Sequence, residues 1–141
     1  MRFGCILLTV ALVLCSGCAM NSAVKQMTFV RSGGFAGAMM RVDGTVDFTD
    51  HGASVVSMSR NYRRDLDAAD ATKLRAAADP ESWGSIPREA KEAGNRRDAF
   101  KYDVTVTTTN GQSHSLTIYD SPSTPLGEWL KQESQQIFVS K

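Results

Sequence analysis

Three cysteines, two histidines and a glycine-rich loop are the residues of this 141-residue chain that hold the most chemical potential. Cys5, Cys15 and Cys18 together suggest a metal or redox set until their positions are read, because all three lie in the first eighteen residues. His51 sits in an Asp-His-Gly turn and His114 follows an Asn-Gly hairpin signal. There is no HExxH and no carboxylate at a useful spacing from either His, so no zinc site is expected. A GxSxG nucleophile elbow is absent, as is any recognisable Ser/His/Asp set. Gly33, Gly34 and Gly37 are not followed by Gly-Lys-Ser/Thr, so they do not read as a phosphate loop. Asp65 and Asp67 suit a helix N-terminus better than an acid/base pair. Arg60, Arg63 and Arg64 precede Asp65, Asp67 and Asp70 and read as a solvated, self-neutralising face. No catalytic residue, metal or cofactor is therefore expected, and the chain is not read as an enzyme.

The cysteines belong to an address. Met1-Arg2 gives a positive start, and Cys5 to Cys15 is an almost unbroken apolar run. Eleven residues are too few to cross a bilayer core, which needs about 20. A short apolar core behind a basic residue and before small residues reads as a secretory signal. It ends in Leu14-Cys15-Ser16-Gly17-Cys18, which resembles the bacterial lipobox, with Cys15 where Leu is more usual. The competing reading is a buried N-terminal helix, but no polar residue breaks the run into an amphipathic pattern. Residues 1–17 are expected to leave as signal peptide and Cys18 to carry the lipid. Taking 17 residues from 141 leaves 124, with Lys+Arg reduced from 16 to 15 by the loss of Arg2, against 15 Asp+Glu. The remaining Cys is then acylated, which leaves no thiol for a disulfide or a metal. Ala19, where Asp would favour inner-membrane retention, leans the sorting towards the periplasmic face of the outer membrane. Residues 18–25 read as a tether, and residues 26–141 as one domain. The balanced charge argues against nucleic acid as a partner.

The domain must position whatever function it has. Gln26–Arg31, Met39–Phe48 and Ala53–Tyr62 read as a three-stranded antiparallel meander, with Gly44 as a bulge. Residues 65–79 change to a helical period that Pro80 ends, with Leu66, Ala69, Leu74 and Ala77 as its apolar face. Glu81-Ser82-Trp83 makes a short turn that places Trp83 on the core. Ile86–Asp98 reads as a surface loop. Phe100, Tyr102, Val104 and Val106 alternate with polar residues, and Asn110-Gly111 turns the chain into a strand bearing His114, Leu116 and Ile118. Leu126, Trp129 and Leu130 mark a closing helix that Ile137 extends. The expected architecture is α+β: an antiparallel sheet of four to five strands with two to three helices on one face.

Ser32-Gly33-Gly34-Phe35-Ala36-Gly37 interrupts this scheme. Three Gly in five positions make a loop or a sharply bent turn. Phe35 is either folded into the core or offered to a partner, and composition alone leaves both open.

Phe29 to Gly37 (FVRSGGFAG), with Arg41 on the next strand, resembles the start of emfourin-like proteins, small bacterial inhibitors of thermolysin-like metalloproteases such as protealysin. Trp83 before Ile86-Pro87, the Asp98-to-Tyr102 entry into a hairpin, His114 and the Leu126/Trp129-Leu130 helix follow the same order. The resemblance spans roughly Met27 to Leu130. It departs in the longer stretch from Gly44 to Tyr62 and in the lipobox. It implies a protease-binding segment of Arg31, Ser32, Gly33, Gly34, Phe35, Ala36, Gly37 and Arg41. Phe35 would fill the apolar pocket that thermolysin-like enzymes use for the residue after the cleaved bond. The expectation is a lipid-anchored metalloprotease inhibitor. The alternative is a structural or adaptor lipoprotein of the cell envelope.

Overall fold

The computed structural model of the chain describes residues 23–34, 41–94, 98–120 and 124–140. The expected signal peptide, Cys18 and most of the expected tether lie outside these residues. A six-stranded antiparallel sheet forms from β1 (Val24–Gly33), β2 (Val42–Phe48), β3 (Ala53–Ser57), β4 (Tyr62–Leu66), β5 (Phe100–Thr108) and β6 (Ser113–Tyr119). The strand order is β4-β3-β2-β1-β5-β6, so β1 is central and bonded on both sides. Helices α1 (Ala68–Ala78), α2 (Arg88–Lys91) and α3 (Pro125–Val139) complete the α+β domain.

Alternation along each strand decides which face the helices cover. Met27 and Phe29 on β1, Val42 and Val46 on β2, and Tyr102, Val104 and Val106 on β5 are all buried. The register sets Met27 between Val46 and Val106, and Phe29 between Gly44 and Val104. Trp129 of α3 meets Phe29 edge-on, with ring centroids 5.7 Å apart. Such a pairing adds about 0.5–1.5 kcal/mol to the burial of the two rings. The Phe29 ring lies across Gly44, where any side chain would collide with it. Gly44 is therefore the partner of an aromatic and not a bulge. The register shift on β1 occurs instead between Val24 and Gln26, opposite β5.

Helix ends follow the residues that cap them. Asp67 accepts a hydrogen bond from the Asp70 amide at 2.8 Å and starts α1. Asp79 does the same for the Glu81 amide at 3.0 Å, opening a 3₁₀ turn over Pro80–Ser85 that buries Trp83. Thr124 caps α3 by accepting from the Gly127 amide at 3.0 Å. The helix between Asp67 and Pro80 is thus bounded as its sequence requires, but its buried stripe is Ala71, Leu74 and Ala78. Leu66 ends β4, and Ala69 is exposed. In a segment whose one large apolar residue is Leu74, the phase of the helix has no second marker.

Three further boundaries differ from expectation. The run Ala53–Tyr62 is two strands, because Met58–Asn61 turns the chain back, with Asn61 in the left-handed region at φ 49°. The span Ile86–Asp98 contains α2, whose Ala90 is fully buried, and so is more than a surface loop. Strand β1 begins at Val24, which is itself core, so Val24 and Lys25 belong to the sheet and not to the tether.

The β5–β6 hairpin forms where Asn110-Gly111 predicts it. Gly111 takes φ +83°, while Asn110 keeps negative φ and accepts from the Thr108 hydroxyl and, at 3.2 Å, from the Gln112 amide. Leu116 and Ile118 face the same side as Val104 and Tyr102, as expected. Antiparallel topology sorts the connections to two ends. The β5–β6 tip, the β2–β3 turn and the entry of the chain at Ala23 share one end, where the Thr109 amide donates to Ala23. The β1–β2 connection and the β3–β4 turn share the other.

Candidate functional site

The glycine-rich loop leaves the sheet from the C-terminal end of β1. Gly33 pairs with Phe100 and has φ +85°, and Gly34 follows at φ +110°. Side chains rarely adopt these angles, and space is lacking as well. A Cβ on Gly33 would stand 2.9 Å from the Ala99 carbonyl oxygen, and one on Gly34 would stand 2.7 Å from Cε1 of Phe100. Two consecutive backbone positions are thus fixed in a conformation that only glycine enters without strain. Ser32 is half-buried opposite Lys101, and Arg41, exposed, leads into β2. Phe35, Ala36 and Gly37 lie outside the described residues.

Arg31 departs from the expected protease-binding set. It points to the helix side of the sheet, is 2% exposed, and packs its guanidinium 4.6 Å from the Phe100 ring centre and 5.5 Å from that of Phe138. Its Nε has no hydrogen-bond partner among the described residues. Desolvation by this burial lowers its pKa below the usual arginine value, with the neighbouring Arg60 adding to the effect. The register places Tyr102 beside Arg31, and burial pushes the Tyr102 hydroxyl up to about 12, with the Asp120 charge contributing. The Tyr102 hydroxyl also lacks a hydrogen-bond partner among the described residues. Arg31 is accordingly part of the packing on the helix side of the sheet and offers no docking surface.

The other groups with chemical potential are dispersed. His51 is exposed in the β2–β3 turn. His114 is half-buried and borders a groove of about 440 Å³ with Arg75, Asp79 and Thr108. Among the described residues no three His, Cys, Asp or Glu side chains come together in a way that would hold a metal ion. Asp67 is committed to capping α1, and Asp65 is exposed 3.6 Å from Arg63.

The basic cluster splits in a way its spacing did not indicate. Arg63 and Asp65 form the expected solvated pair. Arg64, on the opposite face of β4, reaches the carboxylate of Glu133 through Nε at 3.2 Å and through a second, shorter contact from Nη2. Tyr62 donates to the same carboxylate at 2.9 Å. Hydrogen bonding to Glu133 raises the Arg64 pKa, and burial foremost raises that of Tyr62. Arg60 turns its guanidinium over the Phe138 ring at 5.2 Å. Glu133 is 1% exposed, and sequence reasoning missed it. Its signal was present: Leu126, Leu130, Glu133 and Ile137 form one helical stripe, and a carboxylate on an apolar stripe requires a cation.

No described helix is long and apolar enough to cross a membrane. No family model, curated protein or solved structure matches the chain.

Proposed function

We propose that this chain is a membrane-anchored bacterial lipoprotein that inhibits a thermolysin-like zinc metalloprotease by inserting its glycine-rich loop into the active-site cleft. The observation that carries the reading is the pair of left-handed glycines at the root of the loop, Gly33 and Gly34, set against Ala99 and Phe100. A loop fixed at its root loses less conformational freedom on binding, and that saving appears as affinity. The emfourin-like pattern of residues 29–37 supports the same reading. In it, Phe35 is the apolar anchor, as buried aromatics commonly are at interfaces, and Arg41 flanks it from the start of β2. The chain's own part is binding and occlusion, with no bond made or broken.

The test is inhibition of several thermolysin-like proteases by a soluble form beginning at Ala19. Tight inhibition is expected. Phe35→Ala should weaken it by about 2 kcal/mol, or about 30-fold, with the unfolding transition unchanged. Absence of inhibition across these enzymes removes the inhibitor reading and leaves the adaptor lipoprotein. An unfolded Phe35→Ala variant would assign Phe35 to the core and remove its role as anchor. For the anchor, Cys18→Ala should release the full-length protein from the membrane fraction.

A further inference from the structure

We propose that β6 is the edge through which two copies of this chain associate, each laying its β6 antiparallel to the other's to make one continuous sheet. The inference does not depend on what the glycine-rich loop binds. It starts from a difference between the two edges of the sheet, β4 and β6. An edge strand presents a row of unpaired amides and carbonyls, and proteins that stay apart blunt it with charge, proline, a bulge or short length. β4 is blunted: its five residues include Arg63, Arg64 and Asp65, and Arg64 is fastened to Glu133 of α3. β6 has seven residues, Ser-His-Ser-Leu-Thr-Ile-Tyr, with no lysine, arginine, carboxylate or proline. Its register with β5 runs without a shift.

The hydrogen-bond phase fixes which groups face outward. The Thr108 amide donates to the Gln112 carbonyl at 2.9 Å, and the Asp120 amide donates to the Phe100 carbonyl at 2.8 Å. Bonded pairs in an antiparallel ladder recur at every second residue, so His114, Leu116 and Ile118 bond to β5. Ser113, Ser115, Thr117 and Tyr119 then turn their amides and carbonyls away from it. Among the described residues no backbone group outside the sheet bonds to these four.

A two-fold axis through Leu116 makes this row self-complementary. Ser113 would bond to Tyr119 of the second copy and Ser115 to Thr117, each pair occurring twice about the axis. On the helix-covered face the half-buried Leu116 would meet its own counterpart, and His114 would meet Ile118. Charge selects a second copy as the occupant. No two charged groups of β6 oppose each other in this pairing, and Asp120, beyond its end, would face Gln112. The short helix α2, which packs on β6 with Ala90 buried, carries Arg88 and Lys91 with Glu89, and Glu92 follows it, so its own charge is balanced. The same axis through the middle of β4 would set Arg64 against Arg64, and like charges directly opposite destabilise a strand pair. On the lipoprotein reading, the two chains enter the joined sheet from opposite directions, and its strands lie along the bilayer when both lipids are inserted.

The experiment is sedimentation velocity on the form beginning at Ala19, which keeps every described residue and contains no cysteine. The parent should pass from monomer to dimer as its concentration rises. Ser115→Pro removes an outward amide and no β5–β6 bond, so it should weaken the dimer at least tenfold and leave the unfolding transition close to that of the parent. Ser115→Lys, a charge on the exposed edge, should act in the same way and decides the matter if the proline variant does not fold. Leu116→Cys should crosslink to its counterpart under mild oxidation, because a pair without hydrogen bonds brings the Cα atoms to about 4.5 Å, within disulfide reach. Ser113→Cys, about 20 Å from its counterpart in this register, should not crosslink. A parent that stays monomeric at every concentration overturns the proposal. So does a dimer indifferent to both Ser115 variants, or one crosslinked by Ser113→Cys and not by Leu116→Cys.

Discussion

Two arginines on the helix-facing side of the sheet meet opposite surroundings. Arg64, on the edge strand β4, is answered by a carboxylate: Glu133 accepts from it twice and from Tyr62 as well. Arg31, on the central strand β1, is answered by the faces of Phe100 and Phe138. The first arrangement joins a half-exposed cation to an almost fully buried anion, and it fastens α3 to the end of the sheet. The second keeps a buried cation between rings, where each contact is worth about 0.5–2 kcal/mol and the aliphatic stem adds packing. An ion pair is directional and fails badly when halved. A ring-stacked cation is tolerant of its exact angle and fails gently. The structure places the directional contact where helix and sheet must register and the tolerant one near the C-terminal end of β1.

The largest expected effect comes from halving the ion pair. Arg64→Ala strands the Glu133 carboxylate, and chemical denaturation should show a loss of about 3 kcal/mol. Arg31→Ala comes next, at about 2 kcal/mol, because two ring contacts and a buried stem go together. Arg31→Met retains the stem and removes the charge, so it should cost less than about 1.5 kcal/mol. If Arg31→Met is as damaging as Arg64→Ala, Arg31 depends on a charged partner and the contrast collapses.

The smallest effect at neutral pH belongs to Tyr102, and it becomes visible only in alkali. Its pKa is raised from the ordinary 10 to about 12 in the folded protein. The native state therefore favours the neutral phenol. That contribution is intact below pH 10 and is lost as the pH rises from 10 towards 12. Tyr102→Phe removes a hydroxyl that has no hydrogen-bond partner among the described residues. It should leave stability near neutral pH almost unchanged and flatten the alkaline limb of a melting-temperature profile. An unchanged alkaline limb would assign that loss to other groups, Tyr62 among them.

Much of the fold was legible because its signals are local. Asn110-Gly111 marks a hairpin by backbone freedom, Pro80 stops a helix by geometry, and Phe100 to Val106 alternates plainly. What escaped depends on partners distant in sequence. Gly44 looks like a bulge until Phe29 is laid across it. Ala53–Tyr62 has no Gly or Pro to announce the turn at Met58–Asn61, which rests on Asn61 alone for its left-handed residue. Arg31 was expected in the protease-binding segment, and its burial was not legible because its two aromatic neighbours lie 69 and 107 positions further along the chain. Of the candidate site, Gly33 and Gly34 were legible as conformational signals, whereas Arg31's burial was not.

The position of β1 has a mechanical consequence. The chain enters this strand at the end carrying the β5–β6 tip and leaves it for the glycine-rich loop at the other, ten residues on, a span of about 33 Å. With a lipid on Cys18 and a partner held by the loop, a pull between them would run along one covalent strand. The sheet's hydrogen bonds need not carry that load, so tension on the partner would reach the anchor without unzipping the fold.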